Sequence, residues 1–122
     1  MEEKMTKFSN YFDEQIALCD RRGKELLADG RTDEATFEKV KANIFDIFRT
    51  VFSVAVKTCE EDPNEVQPFF TKRIEQIPLS WAASYEKAKE HNDGAKMCLE
   101  QIKLDTARQI KETFAKIWEE NQ

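Results

Sequence analysis

The stretch Ile44-Phe45-Asp46-Ile47-Phe48-Arg49-Thr50-Val51-Phe52-Ser53-Val54-Ala55-Val56 is the most apolar and aromatic part of the chain, and it restricts what the rest can build. Read as a helix at about 100° per residue, Phe37, Val40, Ile44, Phe48, Val51, Ala55 and Cys59 fall on one stripe. Ile47 and Val54 widen the stripe on one side, and Phe45, Phe52 and Val56 widen it on the other. The apolar arc then spans roughly 200°, about twice what a surface helix needs. Asp46, Arg49, Ser53 and Lys57 hold the strip that is left. Such a helix needs cover from several directions, so either the helical segment after Pro78 folds over one flank or a second subunit does.

The rest of the chain supplies helices. Three glycines and three prolines in 122 residues are too few turn formers for an all-β fold. From about Glu2 to Ala28, Met5, Phe8, Phe12, Ile16, Cys19, Gly23 and Leu26 recur every three or four residues, and Asp29-Gly30 supplies a stop. Gly23 lies on the inward face, which points to a close approach by a neighbouring helix. Thr32 is placed to cap the central helix, which runs to about Glu61. Asp62 caps the next, with Pro63 at its first position. That helix turns Val66, Phe69, Phe70, Ile74 and Ile77 inward and breaks at Pro78. A further segment, from about Leu79, carries Trp81, Tyr85 and Ala88 on one face. After the turn His91-Asn92-Asp93-Gly94, the last helix runs to about Glu120. It points Ala95, Leu99, Ile102, Thr106, Ile110, Thr113 and Ile117 inward, and Glu100, Asp105 and Glu112 outward beside Lys103, Arg108 and Lys116. Glu119 and Glu120 oppose the helix dipole, so the end is expected to fray.

Four rods of matched length result, each about 40 Å at 1.5 Å per residue, if the pieces on either side of Pro78 count as one. Short connections favour antiparallel neighbours. The expected fold is all-α: a single domain over residues 1–122, an up-down-up-down four-helix bundle whose third rod is broken at Pro78. A five-helix domain, with the segment after Pro78 swung away, is the alternative.

A net charge of −5 argues against a general nucleic-acid or anionic-membrane surface, both of which need clustered cations. The one basic cluster, Arg21, Arg22 and Lys24, sits late in a helix, where cations also suit the dipole. Three cysteines, at 19, 59 and 98, are an odd number without paired spacing, which fits reduced thiols and a cytoplasmic protein better than a disulfide framework. No secretory h-region follows the charged start, and the longest apolar run is too short to span a bilayer.

The same residues name no chemistry. His91 is the only histidine and lies in a polar turn, without the context of a nucleophile–His site. The residue three before it is Ala88, so the Glu-x-x-His of a di-iron bundle is absent. In an up-down bundle Cys59 is separated from the other cysteines by more than about 20 Å, too far for shared zinc ligation. No glycine-rich phosphate loop occurs. The Trp81, Tyr85, Ala88 spacing resembles part of a tetratricopeptide repeat, but no second copy follows at a period of about 34 residues, and no repeat family is indicated. No cofactor or metal is expected.

Two features remain. Tyr11 and Leu18 lie one heptad apart on the flank of the first helix, and Met97, Leu104 and Trp118 lie on the far side of the last. This surplus apolar surface marks a face for another protein or for a homodimer. Arg73 falls on an inward side between Phe69, Phe70 and Ile77, either as a snorkelling cation or as a buried anion contact. The break at Pro78 could open a pocket lined by Phe70, Arg73, Ile77, Trp81 and Tyr85 for a small acidic or apolar ligand. The expectation is a non-catalytic interaction module that binds protein, with ligand binding beside Pro78 as the alternative.

Overall fold

A computed structural model describes residues 2–119. It holds five helices: α1 (Glu3–Ala28), α2 (Thr32–Thr58), α3 (Pro63–Gln76), α4 (Leu79–Glu90) and α5 (Gly94–Glu119). They form an all-α bundle of four rods, the third made of α3 and α4 and bent between them. The bend is at Pro78, which has no N–H to continue the ladder and whose ring crowds the carbonyl of Ile74. The helix resumes at once, as the Ala82 N–H donates to the Pro78 carbonyl at 3.0 Å.

Helix ends follow local chemistry. Gly30 takes φ +73°, and the Arg31 N–H donates to the Leu26 carbonyl at 2.8 Å, closing α1 as the Asp29-Gly30 pair suggests. Asp62 Oδ1 accepts from the Asn64 N–H at 2.9 Å with Pro63 first in α3, and Asp93 Oδ1 accepts from the Lys96 N–H at 3.1 Å. Two ends differ from expectation. Thr32 is inside α2 rather than capping it; Arg31 precedes the helix and its guanidinium holds the Glu34 carboxylate in the first turn. Helix α2 stops at Thr58, short of Glu61, because Glu60 and Glu61 adopt φ +50° and +62°. Those left-handed residues let the Glu61 N–H reach the Val56 carbonyl at 2.9 Å. Fraying was expected at Glu119 and Glu120; Glu119 is still helical, as the last residue of α5, and Glu120 lies outside the described residues.

The backbone of α2 packs against α1, α3 and α5. The α2–α5 pairing crosses what would be the diagonal of an ideal four-rod bundle, so α2 takes a nearly central position. At the base, the Phe8 ring meets Phe12, Phe52, Phe70 and Phe114 at centroid distances of 4.6, 4.8, 5.3 and 5.2 Å. Such edge and tilted contacts add about 0.5–1.5 kcal/mol each to area burial. The Trp118 indole N–H donates to the Pro63 carbonyl at 3.0 Å, and the Lys4 ammonium donates to the Trp118 carbonyl at 2.9 Å. These bonds tie the starts of α1 and α3 to the end of α5. Toward the other end the buried residues become small or acidic: Ala35, Glu38, Ala88 and Glu100. Glu100, read from the sequence as an outward partner of Lys103, keeps that ion pair at 3.2 Å while its side chain is buried.

Candidate functional site

The sequence-derived interface residues are split up by the fold. Trp118 is a core residue, which corrects its reading as outward: its indole packs on Phe8, Phe52 and Phe114, because α3 closes over that side of α5 and accepts its N–H. Tyr11 is half-buried where α1, α2 and α5 meet, against Phe8, Phe12 and Phe45, and its hydroxyl accepts from Gln109 Nε2 at 3.1 Å. Burial raises its pKa above the ordinary phenol value. Leu18, Met97 and Leu104 are half-buried. Met97 and Trp118 are about 30 Å apart along α5 at 1.5 Å per residue, so no compact patch contains both.

The residues proposed around Pro78 are also otherwise engaged. Phe70 lies in the aromatic base, against Phe8, Phe52 and Phe114. Trp81 reaches Phe48 of α2 at 6.2 Å, edge to face. The Arg73 guanidinium lies over the Phe69 ring at 4.8 Å, a cation–π contact in place of a buried anion site. Ile77 and Tyr85 are half-buried. The cavity beside Pro78, of about 280 Å³, is lined instead by Ile74, Glu75, Pro78, Leu104, Ala107, Arg108 and Lys111.

Two surfaces stand out. The first is the flank of α2 that carries Ile47 and Val54, which are 40% and 49% exposed. They lie one heptad apart and share a line along the helix. The opposite flank, Phe45, Phe52 and Val56, is buried; α1, α3 and α5 supply the rings against it, so α4 is not what covers it.

The second surface is a groove of about 630 Å³ between the later half of α1 and the earlier half of α2. Its walls include Ile16, Ala17, Cys19, Gly23, Ala35 and Ala42, and ion pairs close its rim: Arg49 with Asp13 at 2.9 Å and Lys24 with Asp20 at 3.1 Å. Glu38 also lines it. This residue is 8% exposed; one carboxylate oxygen pairs with the Lys41 ammonium at 3.3 Å, and the other, Oε2, is buried without a hydrogen-bond partner. Burial, reinforced by the Glu38 charge and by a hydrogen bond from the thiol to the Glu38 carboxylate, pushes the Cys19 thiol up to about 11. A thiol so protonated is a poor nucleophile at neutral pH. Cys59 is raised by burial too, and Cys98 is exposed.

Glu38 was not singled out by the sequence reading, although a signal exists. It sits one heptad before Phe45 and two before Phe52, an acid on a line otherwise filled by phenylalanine. Glu100 repeats the pattern ahead of Ala107 and Phe114. Gly23 does not permit a close backbone approach after all: a Cβ there would meet Glu38 Cβ at 3.9 Å and the Ala35 carbonyl at 4.0 Å, ordinary contacts. Its effect is to leave space in the groove.

Among the described residues no group of His, Cys, Asp and Glu could hold a metal ion, and no helix is long and apolar enough to cross a membrane. His91 is exposed, its Nδ1 2.8 Å from the Lys87 carbonyl oxygen. Comparison with protein-family models, with curated proteins and with solved structures gives no match.

Proposed function

We propose that this chain is a non-catalytic interaction module that pairs with a second copy of itself through the open flank of α2. The supporting observation is the exposure of Ile47 and Val54 on the one helix whose remaining apolar faces are covered. Residues 50–56 carry no charged side chain, and depletion of charge is the mark of an interface centre. The strip also suits its own copy. Antiparallel packing about a two-fold axis near Thr50 and Val51 brings Ile47 of one copy to Val54 of the other. It also sets the Asp46 end of one helix beside the Lys57 end of its mate, opposite charges in register.

Sedimentation velocity of the full chain over a dilution series from the high to the low micromolar range tests this. The expected result is a dimer that dissociates on dilution. A species that sediments as a monomer throughout would contradict self-pairing.

A further inference from the structure

We infer that α4 is a flap, which leaves the bundle and unwinds as one unit while α1, α2, α3 and α5 stay folded. The inference rests on how α4 is held, and it stands whether or not the chain self-pairs. The two pieces of the third rod differ in anchorage. Helix α3 runs beside both α2 and α5 and buries Val66, Phe70 and Ile74. Helix α4 runs beside α5 alone, and of its twelve residues only Ala88 is buried. A buried alanine methyl contributes far less than a buried phenylalanine ring. Trp81, Ala82, Ser84 and Tyr85 are half-buried, and Leu79 is 66% exposed. Trp81 is the latch to the rest of the core, since its ring meets that of Phe48 in α2 at 6.2 Å, edge to face.

Both ends of α4 are built to part from their neighbours. Pro78 supplies no N–H, so the hydrogen-bond ladder is already interrupted where α4 begins, and no side chain caps that end. At the other end Asn92 takes φ +55°, a left-handed break that asparagine tolerates. Helix α5 then starts on its own cap, the Asp93 carboxylate with the Lys96 N–H, and so does not need α4 to begin. Freed from α5, a twelve-residue helix is marginal in water, so opening and unwinding go together. Opening takes Trp81 off Phe48, which is otherwise fully buried beside the exposed Ile47. The flap thereby sets how far the apolar face of α2 extends.

The test is native-state hydrogen exchange of the full chain, resolved by NMR over a series of low urea concentrations. Amides of residues 83–90 should exchange as one group, about a hundredfold faster than those around Phe52 and Phe70. Their urea dependence should be weaker, because a partial opening exposes less surface than unfolding does. Phe12→Leu alters the core on α1, which does not run beside α4. It should speed the core amides about tenfold and leave those of α4 unchanged, since the open form keeps the Phe12 contacts. Trp81→Ala should speed both groups by the same factor, because the latch is lost in the open form and in the unfolded chain alike. Matching rates and urea slopes in α4 and α2 would overturn the inference, and so would rates graded from the ends of α4 inward. An equal acceleration of α4 by Phe12→Leu, or unchanged α4 exchange in folded Trp81→Ala, would also contradict it.

Discussion

Phe45, Phe52 and Val56 on one flank of α2 are sealed under α1, α3 and α5, whereas Ile47 and Val54 on the other flank face solvent. Residue type does not separate the two, since both flanks are apolar. Position in the bundle does. Helix α2 is close to central, and its aromatic flank falls where three helices converge; its aliphatic flank falls on the outside. Burying a phenylalanine contributes directly to the stability of this chain, while an exposed valine contributes only if something else covers it.

The comparison can be broken first by truncation. Phe52→Ala should destabilise the chain by about 3–5 kcal/mol, because it empties a site ringed by Phe8, Phe12, Phe70 and Trp118. Val54→Ala, measured by urea unfolding at a concentration where the chain is monomeric, should change stability by less than about 0.5 kcal/mol. Comparable losses at the two positions would remove the distinction.

The covered flank is itself not uniform, because the same heptad line continues from Phe52 and Phe45 back to Glu38. Replacing that acid tests whether its burial opposes folding. Glu38→Met should stabilise the chain by about 1–2 kcal/mol, since it removes a buried oxygen without a partner and keeps an unbranched stem. A destabilised variant would mean that the Glu38–Lys41 pair holds α2 in place. At the far end of the helix, Glu61→Gly should add about 1 kcal/mol by relieving a side chain at φ +62°.

The smallest effect is on pH dependence, through Cys19 beside Glu38. The folded thiol is raised to about 11 from an ordinary value near 9. The unfolded chain therefore releases this proton first as the pH rises. The contribution of Cys19 to stability is full below about pH 9 and is lost progressively from 9 to 11. Cys19→Ala should flatten that part of a stability–pH profile; an unaltered slope would show that the thiol is not protected by the fold.

Much of this fold can be read from the chain because helical periodicity and caps are local. The stripe through Phe8, Phe12 and Cys19, the stop at Gly30, the caps at Asp62 and Asp93 and the break at Pro78 all depend on residues within a few positions of one another. The limits are equally physical. Which side of α5 faces inward depends on where α3 lies, and α3 closing over Trp118 turns Phe114 and Trp118 inward beside the expected Ile110 and Ile117. The candidate surfaces were legible only in part. The excess width of the α2 arc pointed to an uncovered flank, but only the packing decides that the flank is Ile47 and Val54. Glu38 required the heptad line of phenylalanines to be followed back to the residue that interrupts it.

The most direct measurement compares sedimentation of the Ile47→Glu/Val54→Glu variant with that of a Leu27→Glu/Leu79→Glu control, which alters apolar residues exposed elsewhere. Charges on the α2 flank should leave a folded monomer at concentrations where the parent and the control are dimers. If the flank variant associates as the parent does, or if the control dissociates equally, the open flank of α2 is not the pairing surface.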